Sequence, residues 1–100
     1  MLKGKSVQRI RTRHPASLKT GVNIRQDKYD TVKSVILKAL KKGPPLTFTE
    51  MVRLAEKLLY GKFEGSVAWY VVTVKLDLEA RGLLERVPKT RHEVYRLAKT

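Results

Sequence analysis

The chain has 100 residues, of which 22 are Lys or Arg, 9 are Asp or Glu and none is Cys, for a formal net charge of +13. That length fits one domain, large enough to bury roughly two thirds of its unfolded surface without a metal or crosslinks. The lack of cysteine excludes disulfides and thiolate metal sites. No apolar run approaches the ~18 residues of a membrane span, and no signal-peptide core follows Met1. An intracellular, cytoplasmic domain without membrane association is the expectation.

Residues 1–26 contain seven basic residues (Lys3, Lys5, Arg9, Arg11, Arg13, Lys19, Arg25) and no acidic one. Such a stretch repels itself and lacks periodic apolar positions. It is predicted to be a basic N-terminal arm, flexible at least to about residue 13, with the folded domain over residues 27–100. A polyanion is the natural partner of the arm. Its apolar residues, Leu2, Val7 and Ile10, are sparse for a mitochondrial presequence.

Past the arm the pattern turns helical. From Asp27, a candidate N-cap, the apolar residues Tyr29, Val32, Ile36, Ala39 and Leu40 mark one face, and Lys41-Lys42-Gly43 supply a basic last turn and a glycine stop. Pro44-Pro45 forbid continuation, and Leu46-Thr47 form a short extended link. Thr47-Phe48-Thr49-Glu50 has the form of a capping box and opens a second helix through roughly Leu59, with Met51, Val52, Ala55, Leu58 and Leu59 on its apolar face. After Gly61-Lys62-Phe63-Glu64-Gly65, Ser66 is the N-cap of a third helix that Gly82 closes. Leu83 to Val87 and Val94 to Leu97 then read as strands around the basic loop Pro88-Lys89-Thr90-Arg91-His92.

The third helix is unusual in composition, because of the twelve residues from Val67 to Leu78 only Thr73, Lys75 and Asp77 fall outside the hydrophobic class. On a helical wheel Val67, Val71, Val74 and Leu78 lie on one side. Trp69, Val72 and Leu76, with Thr73 and Ala80 beside them, lie on the other. One face makes the core, so the other needs a cover. Three covers are open. One is Leu18, Val22 and Ile24 folding back from the same chain. Another is a partner, most simply a second copy in a two-fold dimer through Trp69, Val72, Leu76 and Ala80. The third is direct docking on nucleic acid.

Helix, capped helix, longer helix ending in Leu78-Glu79-Ala80-Arg81-Gly82-Leu83-Leu84-Glu85-Arg86, then a hairpin with a basic tip: this order resembles the winged helix-turn-helix domain over about residues 27–98. "HP" at 14, "GVNI" at 21, Tyr29 and "GSVAWYVVTVKLDLEARGL" are similar to a family of small bacterial winged-helix proteins of unestablished function. The resemblance implies an α+β fold, mainly α, with three helices and a two- to three-stranded wing, and with Leu78, Leu83 and Leu84 in the core. It also implies nucleic acid as partner, DNA rather than RNA, in the manner of a transcriptional regulator. The third helix would face the major groove through Ser66, Trp69, Tyr70 and Thr73, and Arg86, Lys89 and Arg91 would be wing contacts.

The residues depart from that pattern at one point. A groove-reading helix offers Arg, Lys, Asn or Gln to base edges, whereas the third helix has none before Lys75, and Lys75 and Arg81 are offset by Asp77 and Glu79. Arm and wing electrostatics therefore carry the expected binding. The alternative is a protein-interaction or dimerisation module without a specific nucleic-acid target.

No enzymatic constellation is found. His14 and His92 read as solvated, and Asp77 and Glu79, two apart on a helix, point to separate azimuths rather than forming an acid/base pair. "GKFEGS" lacks the length and ending of a phosphate loop, and Ser66 is explained by capping. No catalytic residue, metal ligand, cofactor or small-molecule substrate is assigned.

Overall fold

The computed structural model describes residues 8–16 and 21–98. Among them the elements run β1 (Arg9–Arg11), β2 (Asn23–Arg25), α1 (Gln26–Lys42), β3 (Leu46–Thr47), α2 (Phe48–Leu59), α3 (Val67–Ala80), β4 (Leu84–Arg86) and β5 (Val94–Leu97). The class is α+β: three helices and two small antiparallel sheets, one of strands β1-β2 and one ordered β3-β5-β4.

Each helix arises where periodicity and local signals agree. In α1 the stripe Tyr29, Val32, Ile36 and Leu40 is buried. Its N-cap is Arg25 without a side-chain cap; Asp27 lies in the first turn, where its carboxylate binds the Arg25 guanidinium and the Lys28 N–H. A carboxylate there still complements the positive end of the helix dipole. Gly43 is extended (φ −121°), so the stop comes from Pro44-Pro45 and not from a left-handed glycine.

The capping box forms in full: Thr47 Oγ1 accepts from the Glu50 N–H (3.1 Å) while Glu50 Oε1 accepts from the Thr47 N–H (2.8 Å). Met51, Ala55 and Leu59 face the core, and Leu58, expected among them, is exposed. Ser66 Oγ caps α3 at the Trp69 N–H (3.1 Å). The far end closes as a Schellman turn, with the Leu83 N–H donating to Leu78 O (2.8 Å), the Gly82 N–H to Glu79 O (3.1 Å), and Gly82 left-handed at φ 78°.

One core joins all three helices and both sheets. Val71, Val74 and Leu78 of α3 pack with the buried stripes of α1 and α2, and Ile24, Leu84 and Tyr95 seal it from the strands. Leu78 and Leu84 are buried as the resemblance implies, but Leu83, which follows the left-handed Gly82 and gives its N–H to Leu78 O, is exposed.

The N-terminal region departs most from the sequence reading. Residues 1–26 read as an arm flexible at least to about residue 13, yet from Gln8 onward the described residues belong to the fold. Arg9–Arg11 pair with Asn23–Arg25, the Gln26 N–H donates to Gln8 O (2.8 Å), and Thr12 is buried with its N–H on Val22 O (2.8 Å). A single apolar residue per strand, Ile10 and Ile24, is too short a pattern to register as periodicity, but α1 packs against both strands, where Ile24 is buried and Ile10 half-buried. Lys3, Lys5, Leu18 and Lys19 lie outside the described residues. No described helix is long and apolar enough to cross a membrane.

Candidate nucleic-acid interface

The register Arg9↔Arg25, Ile10↔Ile24, Arg11↔Asn23 sends the isoleucines inward and the polar residues to solvent, since side chains alternate along a strand. The alternation continues beyond β1: Thr12 is buried and Arg13 exposed. Arg9, Arg11 and Arg13 therefore project from the same side at intervals of ~7 Å, the rise of two strand residues. None of the three is ion-paired with a described carboxylate. Arg25 differs, for it binds Asp27 at 2.8 Å; that hydrogen bond raises the guanidinium pKa and lowers that of the carboxyl.

The row is fastened to α3 by Asp77, whose side chain is wholly buried. Its Oδ1 accepts the Arg13 backbone N–H at 2.8 Å, its Oδ2 accepts the Tyr29 hydroxyl, and Arg81 Nε lies 2.8–2.9 Å from both oxygens. Burial, then the bond to Asp77, pushes the Tyr29 phenol well above its ordinary pKa. A buried carboxylate is tolerated only when so fully donated to. Asp77 thus joins the N-terminal segment, α1 and α3.

The outer side of α3 meets that same segment. A hollow of about 150 Å³ separates Trp69, Thr73 and Leu76 from the Thr12–His14 and Gly21–Val22 stretches. Gly21 is needed at its edge: a Cβ there would fall 1.8 Å from Thr12 O. Of the three covers open to this face, the chain itself supplies part, with Ile24 in the core and Val22 at the hollow, though Val22 stays exposed. Val72, Leu76 and Ala80 are half-buried, which leaves Trp69, 44% exposed, as the large open side chain of the expected interface.

The four helix residues expected at a groove do not act as one set. Ser66 is engaged in capping. Tyr70 is half-buried and lies edge-on to Phe63 (5.1 Å between centroids) and to Trp69 (4.9 Å). Lys28 Nζ is 5.3–5.4 Å from the Tyr70 and Phe63 rings and donates to Glu64 O. Trp69 and Thr73 alone face the hollow.

At the β4–β5 hairpin, Lys89 and Arg91 are exposed and without a described ionic partner, and Lys89 adopts a left-handed φ of 62° in the turn after Pro88. Arg86 is committed elsewhere, bound to Glu93 (3.0 Å) and near Glu79 (3.5 Å). These belong to a second polar cluster, in which Lys75, only 5% exposed, binds Glu79 (2.7 Å) and Tyr95 Oη (3.1 Å), while the Tyr95 hydroxyl donates to Glu93 (2.8 Å). The Tyr95 hydroxyl and the Arg86 charge hold the Glu93 carboxyl below its ordinary range.

Burial of Lys75 and Asp77 is the feature the sequence reading missed. The signal was present: two charges inside an apolar run, each with an opposite charge four residues on, Lys75 with Glu79 and Asp77 with Arg81. His14, expected as solvated, is half-buried at the hollow, and its Nδ1 accepts the Ala16 N–H at 3.0 Å. Among the described residues no cluster of His, Cys, Asp and Glu is arranged to hold a metal.

Comparison with curated proteins and with solved structures returns no match. One family model, described as a family of unknown function (DUF6958), matches residues 9–94. The match begins at the first residue of β1 and ends at the first of β5, so it takes the arginine row and the three helices as one unit. By a match over most of its length, the chain belongs to this family of unknown function, DUF6958.

Proposed function

We propose that the protein is a nucleic-acid-binding domain of winged-helix form that engages the phosphate backbone through the β1 arginine row and the tip of the β4–β5 hairpin. Support for the form is the order α1, β3, α2, α3, β4, β5, with β3 joined to the terminal hairpin through β5. The observation that carries the binding is the row Arg9, Arg11, Arg13: three outward guanidinium groups without described ionic partners in a chain of charge +13. Fixed cations at the surface gain affinity by releasing counterions from phosphate, whatever the sequence bound.

Sequence readout is not the role of α3 in this reading. Its charged groups pair within the domain, and the Thr12–His14 and Gly21–Val22 stretches flank its outer side. Binding is therefore largely independent of sequence. Among duplexes, DNA is favoured by the fold resemblance alone.

The test is fluorescence anisotropy of a labelled duplex over a range of salt concentrations. Replacing Arg9, Arg11 and Arg13 by alanine should make the slope of log K against log salt shallower by up to ~2.7, about 0.9 for each phosphate released. Lys89→Glu with Arg91→Glu should weaken binding further while shifting stability by no more than ~0.5 kcal/mol, as exposed loop substitutions do. Unchanged affinity and slope in the arginine variant would exclude the row as the binding surface.

A further inference from the structure

We infer that the hollow beside Trp69 receives an unpaired nucleobase, so that single-stranded nucleic acid is the preferred ligand of the arginine row. The inference rests on the phosphate-binding reading above and adds to it the class of strand bound.

Trp69 is the sole tryptophan of the chain and is 44% exposed. Tyr70 braces it at an interplanar angle of 80°, and Phe63 braces Tyr70 at 76°. A ring so held loses little freedom when a base stacks on it, and every base offers a π-face. The same hollow is lined by Arg13 and His14, and Arg13 ends the arginine row. A strand whose phosphates follow Arg9, Arg11 and Arg13 would therefore bring a base to Trp69. Alternate side chains in an extended segment repeat at ~7 Å, a spacing an extended nucleotide chain can follow with successive phosphates.

A base within a duplex does not fit this place. The hollow, about 150 Å³, lies between two parts of the protein and suits one planar ring rather than a pair. A paired base would first have to leave its stack, at a cost that a single strand does not bear. Stacking in such a site is tolerant of sequence. That agrees with an α3 that offers no Asn, Gln or free Arg to base edges.

The experiment uses the full chain and the emission of Trp69, titrated with short oligodeoxythymidine, oligouridine and a duplex of equal length, with anisotropy recorded in parallel. Either single strand should quench Trp69 at saturation, and the duplex should quench it little. Trp69→Ala should weaken oligothymidine binding about tenfold and leave duplex affinity unchanged, while Trp69→Phe should retain most of the single-strand affinity. Unaltered emission at saturating single strand, or equal losses on both ligands in Trp69→Ala, overturns the base site and leaves the phosphate reading standing. If neither single strand nor duplex binds, the phosphate reading fails and the base site with it. A wild type that sediments as a dimer with Trp69 insensitive to every ligand also overturns the proposal and assigns the hollow to a second copy.

Discussion

Tyr29 and Asp77 lie 48 residues apart in sequence and share one hydrogen bond in the core. Burial, and then Asp77, raises the phenol above its ordinary 10.0; Tyr95 is raised as well, first by burial and then by Glu93. A group whose folded pKa exceeds its unfolded value contributes stability that is fully present below the unfolded pKa and lost as pH rises through the folded one. Folding stability should therefore fall above about pH 10, where an unfolded tyrosine ionises and these two resist. In Tyr29→Phe the alkaline fall should be smaller, while stability near neutral pH drops by about 1–2 kcal/mol because Asp77 loses a buried donor. Urea melts of both proteins at several pH values check this. Equal alkaline slopes would mean that Tyr29 contributes nothing to the pH dependence.

At the scale of elements, the N-terminal hairpin separates a folded segment from an arm. The Thr12 N–H donates to Val22 O and the Arg13 N–H to the buried Asp77 carboxylate, both at 2.8 Å. In a flexible arm these amides would exchange at open-chain rates. Here they should be protected to a degree near that of the α1 and α3 amides, because releasing them uncovers Ile24 and leaves Asp77 short of a donor. Gly21→Ala should remove that protection and destabilise the domain by about 1–3 kcal/mol, since its Cβ has no room against Thr12. Hydrogen exchange of wild type and variant measures both effects. The contrast with α2 is instructive. Thr47 and Glu50 lie within one turn, so the capping box is complete in local sequence and forms as read. The hairpin has one isoleucine per strand and depends on a distant helix, so no local window reveals it.

For the whole molecule, charge and fold are coupled through the same residues. Deleting residues 1–13 removes five of the basic groups, and it also removes β1, the cover over Ile24 and the N–H that Arg13 gives Asp77. The truncated chain should therefore melt lower as well as bind polyanions more weakly, by about 2–4 kcal/mol of stability for the lost packing and the unsatisfied carboxylate. The triple Arg→Ala variant should keep its melting temperature and lose only affinity. Thermal melts beside anisotropy separate the two. A truncated chain of unchanged stability would return residues 8–13 to the status of an arm.

Local sequence specifies the three helices, the capping box of α2, the Ser66 cap and Gly82 close of α3, the proline stop after α1, the terminal hairpin and the α+β class. Each rests on neighbours within about four residues or on a proline or glycine whose backbone preference needs no partner. It also determined the +13 and the concentration of basic residues before residue 26. Tertiary structure alone decided which of those charges remain free. Arg25, Arg81 and Arg86 are bound within the domain, Lys75 is buried, and Arg9, Arg11 and Arg13 stand clear. It likewise brought the Thr12–His14 and Gly21–Val22 stretches beside the second apolar side of α3. The reason is physical: a helix or turn is stabilised by local hydrogen bonds, whereas the availability of a charge depends on which distant carboxylate or backbone donor the fold brings to it. Asp77 shows this most directly, drawing Arg13, Tyr29 and Arg81 to one buried carboxylate.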